Sequence, residues 1–524
     1  MKFVTSALAL LVALVAGAQA QTLRWASQGD PQTMDPHSQN ESMTNMMNGQ
    51  VYEGLVGRDK KLGLVPALAL SWTQVDALTW RFKLRPNVKF HDGTPFTADD
   101  VVFSIQRAKE LTSQISNYAN AVGTPAAIDP LTVEFKLQAV DPIFLEHIAA
   151  PLWIMSKKWC EAHKVTKPLD FKNKEESFAS FNANGTGPYM LASRAPGIKT
   201  TYKRNPNWWG KFEGNVQDIV FTPIANDATR TAALISGEID FVLDPPPRDV
   251  PKLRNTAGVK VIDGPENRIV FIGMDQGRDE LLSSNVKGKN PLKDVRVRKA
   301  LYQAVDIETM KAKLMNGQSY PTGGLTPSPL GSYNDPAIEG RFPFDLAKAK
   351  ALMTEAGYPD GFEVELACPN NRYINDEQIC VTLAQMWAKI GVKVKVNAMP
   401  RATYFPKLEK YDISMYMLGW GGAVTDAEVM LTPVLRNNLG EKGIGFYNYG
   451  HYRNDKADAL AAQSSAEADP KKREAIVKAA LSEYKEAVNI IPLHRQVIPW
   501  AARSGVEVVH RADNWLEVSW VTVK

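Results

Sequence analysis

The sequence predicts an α/β fold with parallel strands, in a chain of two or more domains. Its 524 residues are 44% hydrophobic and 23% charged, which is enough apolar material for more than one hydrophobic core. Between residues 362 and 418 the pattern runs strand, helix, strand, helix, strand. This order favours a parallel sheet with crossover helices. The stretch 411–418 is apolar on both faces, which is typical of a strand buried inside such a sheet.

Each element of this unit carries its own local signal. Residues 362–367 alternate as a first strand, and Asn375 is placed to cap a helix that ends at Gly391. Residues 392–396 form a second strand, and residues 412–418 form the third. Because ligands of parallel sheets bind at the carboxyl ends of the strands, the loops after the first and third strands are candidate site positions.

The first 20 residues predict a secretory signal peptide. Lys2 precedes an apolar run from Ala7 to Ala16, and Ala18-Gln19-Ala20 predicts cleavage before Gln21. The run is shorter than a membrane span, and no later stretch reaches about 18 apolar residues. No cysteine follows the cleavage site, so no lipid anchor is expected. We therefore predict a mature chain exported to the periplasm.

Charge and motif content exclude several classes of function. The 61 basic and 57 acidic residues are dispersed, so no nucleic-acid partner is predicted. None of the seven histidines is spaced as a metal pair, and no nucleophile elbow, P-loop or dinucleotide fingerprint occurs. We predict neither an enzyme, such as a peptidase or hydrolase, nor a cofactor or protein-bound metal. A nickel chelate remains open as a ligand, since its carrier supplies most of the ligands.

Three cysteines enter an oxidising compartment, namely Cys160, Cys368 and Cys380. Cys368 and Cys380 flank a short loop and could form a disulfide, which for a loop of this size restricts the unfolded chain by roughly 3 kcal/mol. Cys160 would then be a buried thiol. Spacing leaves the pairing open.

A series of motifs extends along almost the whole mature chain. It comprises Pro66–Trp72 (PALALSW), Trp80–Gly93 (WRFKLRPNVKFHDG), Phe96–Ser104 (FTADDVVFS), Gly185–Tyr189 (GTGPY), Asn205–Gly210 (NPNWWG), Ala233–Asp240 (ALISGEID), Pro291–Ala300 (PLKDVRVRKA) and Gly419-Trp420. In these motifs and in their order, the chain resembles the extracellular solute-binding proteins of dipeptide, oligopeptide and nickel ABC importers, known as family 5.

The resemblance implies a two-lobed periplasmic binding protein fold of the large type, with the ligand enclosed between the lobes. Two crossover segments, about 267–275 and 491–499, would form the hinge. The implied division is lobe I at 21–276 with an inserted subdomain at about 58–180, lobe II at 277–490, and a return to lobe I at 491–524.

The resemblance also implies a function. The protein would capture short peptides or similar zwitterionic solutes and deliver them to an inner-membrane ABC permease with cytoplasmic ATPases, acting as a monomer. A nickel chelate, an opine, a glutathione-like compound and an oligosaccharide are alternative ligands for the same fold.

Gly419, Trp420 and Gly421 are the first candidate ligand-binding residues. Glycines permit the close approach of another backbone, and an indole between them offers a flat apolar wall. The resemblance places this loop at the ligand. An inert loop with a half-buried tryptophan is the alternative.

Arg372 and Asp426 are candidate partners for the two charges of a zwitterion. An arginine fork holds a carboxylate, and an aspartate holds an ammonium group. In the resemblance, Asp426 falls near the acid that takes a peptide's amino terminus, and Arg372 falls near the arginine that takes a carboxylate. The family's Asp-Pro step is Asp426-Ala427 here, so Asp426 could instead cap a helix. Arg372 could instead form a surface or interlobe ion pair.

Ser27, Gln28 and Tyr449 complete the predicted site. Ser27 and Gln28 follow the first strand of lobe I, where the family's peptides pair with backbone. Tyr449 lies in a polar aromatic loop that could either wall a pocket or pack on the surface. Trp208 and Trp209 are assigned to lobe structure.

Overall fold

Two large β-sheets and one smaller sheet organise the protein. The computed structural model describes residues 21–149, 151–170, 173, 175–327, 335–370, 372–422, 424–438 and 444–524. The predicted signal peptide, residues 1–20, lies outside the described residues. Within these described ranges, no helix combines the length and the apolarity needed to cross a bilayer.

The strands are β1 (Thr22–Ser27), β2 (Val56–Arg58), β3 (Leu64–Pro66), β4 (Ala69–Asp76), β5 (Thr79–Leu84), β6 (Thr124–Asp129), β7 (Thr132–Lys136), β8 (Tyr189–Ala195), β9 (Lys199–Arg204), β10 (Asp218–Pro223), β11 (Phe241–Val242), β12 (Val259–Ile262), β13 (Pro265–Met274), β14 (Ser319–Pro321), β15 (Glu363–Pro369), β16 (Lys393–Met399), β17 (Met415–Gly421), β18 (Ile490–Val497), β19 (Trp500–Arg503), β20 (Val506–Glu507) and β21 (Thr522–Val523).

The α-helices are α1 (Ser42–Asn48), α2 (Ala98–Ala108), α3 (Ser116–Ala121), α4 (Phe144–Ile148), α5 (Lys157–Ala162), α6 (Phe178–Phe181), α7 (Asp227–Ser236), α8 (Val250–Arg254), α9 (Val295–Gln303), α10 (Ile307–Thr309), α11 (Pro336–Glu339), α12 (Leu346–Glu355), α13 (Asp376–Ala388), α14 (Arg401–Glu409), α15 (Glu428–Met430), α16 (Asp455–Ala466) and α17 (Pro470–Glu486). Single turns of 3₁₀ helix occur at Pro247–Asp249, Pro291–Lys293 and Val518–Trp520, and of π helix at Met310–Leu314 and Leu431–Leu435.

The predicted lobe I contains a seven-stranded sheet in the order β12-β19-β11-β1-β10-β9-β8. Strand β1 lies parallel to both β10 and β11, so the carboxyl ends of these three strands share one edge. The C-terminal strand β19 pairs with β11 and β12, which returns the end of the chain to this lobe. Trp25 and Trp500 are fully buried in its core.

The predicted lobe II contains a six-stranded sheet in the order β14-β18-β13-β17-β15-β16. Strands β16 and β17 both lie parallel to β15, which confirms the predicted strand–helix–strand–helix–strand unit. The last strand ends later than predicted. Gly419, Trp420 and Gly421 belong to β17 and not to a loop, because their backbone pairs with residues 268–270 of β13.

The inserted subdomain carries a four-stranded antiparallel sheet in the order β4-β5-β7-β6. A buried ion pair attaches it to lobe I. Arg107 of α2 donates to Asp35 at 2.8 and 2.6 Å, and both side chains are 0% exposed. Arg107 also donates to the carbonyl oxygens of Val165 and Lys167. One guanidinium therefore joins three segments.

Trp208 and Trp209 hold a carboxylate within this part of the protein. Their indole nitrogens donate to the two oxygens of Glu53 at 3.0 and 2.7 Å, and the Thr186 hydroxyl donates at 2.8 Å. Burial nevertheless raises the pKa of Glu53 to about 7, since the three hydrogen bonds only partly replace water.

The chain passes between the two large sheets twice. By sheet membership the crossings lie at residues 263–264 and 498–499, between β12 and β13 and between β18 and β19. The sequence predicts boundaries at 276/277 and 490/491, with the segments 267–275 and 491–499 as hinge connectors. In the structure they form β13 and β18, which pair antiparallel inside lobe II.

Candidate functional site

The carboxyl ends of β15 and β17 lie at one edge of the lobe II sheet, as the parallel pairing requires. A disulfide between Cys368 and Cys380 ties the end of β15 to α13. Asp376 Oδ2 accepts from the backbone nitrogens of Arg372 and Tyr373 at 2.9 and 3.0 Å. The loop that carries Arg372 is therefore fixed to the sheet at both of its ends.

The Arg372 guanidinium is sheltered at this edge and makes no hydrogen bond to any residue that the structure describes. Its carbon lies 5.0 Å from the ring centroid of Tyr373. Burial, and next the nearby charge of Arg268, lower the pKa of Arg372. Burial therefore disfavours the charged form of Arg372, and no carboxylate among the described residues forms an ion pair with it.

Arg268 is a second arginine at the same place, and the sequence interpretation missed it. It is only 8% exposed, and its Nε donates to Glu266 at 3.0 Å. Its two Nη atoms have no hydrogen-bond partner among the described residues. Burial acts to lower the pKa of Arg268, but the charge of Glu266, the charge of Tyr373 and the Glu266 hydrogen bond together outweigh it, and the pKa is raised. A clue was present, since a charged Glu266-Asn267-Arg268 step precedes an apolar run.

A hydrogen-bond network fixes the base of Arg268. Glu266, which accepts from Arg268 Nε, also accepts from Gln496 Nε2 at 2.8 Å. The Gln496 side-chain oxygen in turn accepts from the backbone of Ile374 at 3.1 Å. This network links β13, β18 and the Arg372 loop, so the two arginines are held in one geometry.

Packing inside lobe II explains why positions 419 and 421 are glycines. A Cβ at position 419 would lie 2.5 Å from the Tyr373 ring. At position 421 it would collide with the carbonyl oxygen of Asn267 on β13. The two glycines thus allow close approach of Tyr373 and of the β13 backbone, which belong to the same lobe. Approach of a ligand backbone to these glycines stays a prediction.

Trp420 points to the other face of the sheet edge and packs on Tyr447, with ring centroids 4.4 Å apart. The Trp420 indole donates to the Val429 carbonyl oxygen. Burial, followed by the charges of Tyr118 and Glu409, raises the pKa of Tyr447 to about 12. Because Tyr118 belongs to the inserted subdomain, this aromatic pair faces that subdomain.

The predicted Tyr449 has a different position from Tyr447. It is 7% exposed and packs between Tyr416 and Tyr447, with ring centroids 6.0 and 6.1 Å away. The structure thus places Tyr449 in the core of lobe II, while the half-buried Tyr447 takes the wall position. The motif contains both tyrosines and does not show which of them is buried.

Asp426 carries a cationic partner from its own lobe. Its two oxygens accept from Nη1 and Nη2 of Arg473, both at 2.7 Å, and the two side chains are 13% and 7% exposed. Asp426 Oδ1 also accepts from the backbone nitrogen of Glu428 at 2.8 Å, as the helix-cap alternative predicts.

His147 of the inserted subdomain lies near the two acids Asp426 and Glu428 of lobe II. Its Nδ1 lies 2.7 Å from Asp141 Oδ2. Burial acts to lower the pKa of His147, but the Asp141 contact, assisted by the charges of Glu428 and Asp426, raises it. The charge of Glu41 in lobe I likewise acts on Arg268 and Arg372. These edges of lobe II therefore lie close to lobe I and to its inserted subdomain.

Ser27 and Gln28 lie at the carboxyl edge of the lobe I sheet and are engaged within that lobe. The Ser27 hydroxyl donates to Asp244 at 2.9 Å, and the Gln28 backbone nitrogen donates to the same carboxylate at 3.1 Å. Burial raises the pKa of Asp244 to about 6. The Gln28 side chain remains exposed.

Metal ligands are not assembled in the described part of the chain, where no group of three or more histidine, cysteine, aspartate or glutamate residues could hold an ion.

Two α/β lobes with two crossings, and charged and aromatic edges that face each other, define a two-lobed binding protein. Residues 63–441 match the family model of the bacterial extracellular solute-binding proteins, family 5 middle region. The chain belongs to this family, as its sequence motifs predict.

Individual relatives agree with this assignment. The chain is 27% identical over 459 residues to the glutathione-binding protein GsiB of Escherichia coli K12, which covers 86% of this chain and 84% of the relative. The substrate-binding protein CtaP of Listeria monocytogenes superposes with a TM-score of 0.81 at 23% identity, over 96% of this chain and 99% of that one. DppA of Helicobacter pylori, solved with the peptide STSA, gives 0.79 at 22%, over 96% and 98%. The predicted two-lobed fold is confirmed.

Proposed function

We propose that this protein captures a short peptide or a similar zwitterionic solute between its lobes. It delivers this solute to an inner-membrane ABC permease driven by cytoplasmic ATPases. The observation that carries the proposal is the pair Arg268 and Arg372, two sheltered guanidinium groups with N–H groups that donate to no described residue and can donate to an anionic ligand.

A carboxylate is the anion that such a pair fits. Two like charges in a sheltered place repel each other, and an anion between them removes that repulsion. The planar fork of each guanidinium matches the two oxygens of a carboxylate. Since Arg268 and Arg372 lie on lobe II, the remaining polar groups of the ligand meet lobe I. Contacts from both lobes exist only in the closed form, so ligand binding shifts the hinge equilibrium towards closure.

The pair Trp420 and Tyr447 supplies an apolar wall for a ligand side chain. The rings are 4.4 Å apart and face the inserted subdomain. Stacking or a cation–π contact on such a surface contributes about 0.5–2 kcal/mol. A peptide, with apolar groups between charged ends, matches this arrangement better than an oligosaccharide does.

A glutathione-like tripeptide is a specific candidate within this class. The relative GsiB is named for glutathione binding, and DppA was solved with a peptide. Glutathione carries two carboxylates and one ammonium group, and the two arginines offer one fork for each carboxylate.

The proposed physiological form is the mature chain from Gln21, exported to the periplasm and acting as a monomer without catalytic activity. The proposed functional division keeps two lobes and a subdomain at about 58–180, but its boundaries move from 276/277 and 490/491 to the crossings at 263–264 and 498–499, so that β13 and β18 belong to lobe II. Ser27, Gln28 and Gly419 to Gly421 remain proposed contacts.

Arg372 is the residue on which to test this function. The co-purified solute is released from unfolded protein, identified by mass spectrometry and titrated calorimetrically into the mature chain. Arg372→Ala is expected to weaken binding of an anionic solute at least tenfold, about 1.4 kcal/mol. The control is Arg453→Ala, whose side chain is 70% exposed and paired with Asp455. An unchanged titration for Arg372→Ala, or a released solute without a carboxylate, would overturn the proposal.

A further inference from the structure

The ammonium group of a zwitterion needs an anionic partner, and Asp426 is poorly placed to provide it. Both of its oxygens accept from one guanidinium, that of Arg473, in two parallel hydrogen bonds of 2.7 Å. Paired charge-assisted bonds of this kind are among the strongest in proteins. An incoming ammonium group would compete with a partner already in place and would sit next to the positive charge of Arg473.

Glu41 of lobe I is an acid with a free oxygen. Its Oε2 accepts from the backbone nitrogen and the hydroxyl of Thr44, at 3.1 and 3.4 Å. Its Oε1 accepts no hydrogen bond within the described ranges. The side chain is half-buried, and α1 behind it is anchored in the lobe I core through Met46 and Met47. One carboxylate oxygen therefore holds the side chain in place and the other is available.

Glu41 also faces the two arginines. Ile374, two residues after Arg372, packs against the lobe I core that includes Met46 and Met47 of α1. The charge of Glu41, at the start of α1, also acts on both Arg268 and Arg372. Neither guanidinium comes within 4.0 Å of it, since the only described ion pair of Arg268 is with Glu266 and none involves Glu41. Opposite charges are thus near each other without a direct ion pair, and among the described residues each side keeps hydrogen-bonding atoms without a partner.

We propose that Glu41 binds the ammonium group of the ligand, while Arg268 and Arg372 hold its carboxylate groups. This inference rests on the proposed function, since it assumes a zwitterionic solute. It places the amine on lobe I and the carboxylates on lobe II, so the ligand joins the two lobes through its own charges. It also assigns Asp426 to the Arg473 pair, as a structural residue of lobe II.

Selectivity for a free amine distinguishes these roles. Calorimetry with the mature chain uses two probes, S-methylglutathione and the dipeptide Ala-Ala, each with a free and with an acetylated amine. S-methylglutathione has no thiol to exchange with the Cys368–Cys380 disulfide. Glu41→Gln is expected to weaken the free-amine probe at least tenfold and to leave the weaker affinity for the acetylated probe unchanged. The glutamine carbonyl still caps α1, so the thermal midpoint serves as the folding control.

Two variants complete the comparison. Glu363→Gln removes an exposed acid at the opposite end of β15 and is expected to change neither affinity. Asp426→Asn is expected to lower stability and to leave the ratio of free-amine to acetylated affinity unchanged. An amine-selective loss in Asp426→Asn, or an equal loss for both probe forms in Glu41→Gln, would overturn the assignment to Glu41.

Failure of the underlying function looks different. A wild-type protein that binds neither probe, or that binds free and acetylated forms equally, contradicts the zwitterion itself and removes the inference with it. A wild-type protein that prefers the free amine, but keeps this preference in Glu41→Gln, contradicts Glu41 alone.

Discussion

Replacement of Arg107 by methionine tests how the inserted subdomain is held to lobe I. Methionine retains most of the length of the side chain and removes the charge. Asp35, which is 0% exposed, then keeps only the hydrogen bond from the His37 backbone, and the carbonyl oxygens of Val165 and Lys167 lose a donor. The variant therefore leaves a buried charge without its counter-ion.

The expected loss is about 3–5 kcal/mol of unfolding free energy at neutral pH, the range for removing one partner of a buried ion pair. The loss depends on pH. Burial alone would raise the pKa of Asp35, but Arg107 holds it below its ordinary value. In the wild type this carboxylate stabilises the fold above its unfolded pKa, and that stabilisation is lost as pH falls through the depressed folded pKa. In the variant the folded pKa is raised instead, so stability falls as pH rises above about 4. The difference between the two proteins should thus shrink towards pH 4.

Labelling of the Cys160 thiol measures how firmly the inserted subdomain is held to lobe I. The other two cysteines form the disulfide, so Cys160 is the one free thiol, and it is 0% exposed in α5 next to the Val165 turn. Burial raises the pKa of the Cys160 thiol to about 12, which keeps it unreactive in the folded state. If opening of the subdomain limits its labelling by a disulfide reagent, a loss of about 3 kcal/mol speeds labelling by roughly a hundredfold.

A labelling rate within a factor of three of wild type, with unchanged urea unfolding, would refute the reasoning. The double variant Asp35→Leu/Arg107→Met provides the second test, because it removes both charges together. It should be at least about 1.5 kcal/mol more stable than the sum of the single losses predicts. The matched control is the exposed pair Arg453 and Asp455, where Arg453→Met should leave the urea midpoint close to that of the wild type.

Three further changes have expected outcomes. Cys368→Ser with Cys380→Ser should lower unfolding free energy by about 3 kcal/mol, measured with urea, because a loop of 12 residues in sequence separation is freed in the unfolded chain. Glu53→Gln should remove a pH dependence of the unfolding free energy of about 3 kcal/mol. The folded pKa of Glu53, about 7, exceeds the ordinary value of 4.5. Its contribution to stability is therefore present below pH 4.5 and is lost as pH rises to 7. Gly421→Ala should lower stability by about 1–3 kcal/mol, since the new methyl group meets the Asn267 carbonyl oxygen.

Each of these outcomes has a contradicting result. Equal urea midpoints for the reduced and oxidised wild type would argue against the disulfide contribution. A stability profile of Glu53→Gln that is parallel to wild type from pH 4.5 to 7 would mean that Glu53 titrates normally. For Gly421→Ala the control is Gly288→Ala, where no atom lies within 4 Å of the new Cβ but φ is +66°. If Gly421→Ala loses no more stability than Gly288→Ala, the close approach to β13 is unimportant.

Local patterns predicted the parts of lobe II that depend on neighbouring residues. The alternation at 362–367 is encoded within a few residues, and β15 and α13 form where expected. Asn375 stands at the N-cap position of α13, but its side chain makes no capping hydrogen bond and donates to the Leu314 carbonyl oxygen instead. The end of β17 was missed, because Gly419 to Gly421 become a strand only through pairing with the distant β13. Glycines are common in loops and also occur in strands where another part of the chain packs closely, so their presence did not decide between the two.

The site was predicted less completely because its decisive contacts are distant in sequence. Arg473 lies 47 residues from Asp426, and nothing in either motif announces their pairing. The network that fixes Arg268 joins Glu266 to Gln496 across 230 residues. Arg372 could be placed, since a strand end precedes it, whereas Arg268 acquires its role only when three distant segments assemble.

β18 and β19 are consecutive strands, and each completes one of the two large sheets. Strand β18 fills the place between β14 and β13 in one sheet, and β19 fills the place between β12 and β11 in the other. Both strands are synthesised after all the other strands of the two large sheets. Until Ile490–Arg503 emerges, each sheet exposes two unpaired interior edges, so neither lobe has its final edge pattern. A chain that lacks this segment would leave both large sheets incomplete, so formation of the two lobes depends on the same short stretch of sequence.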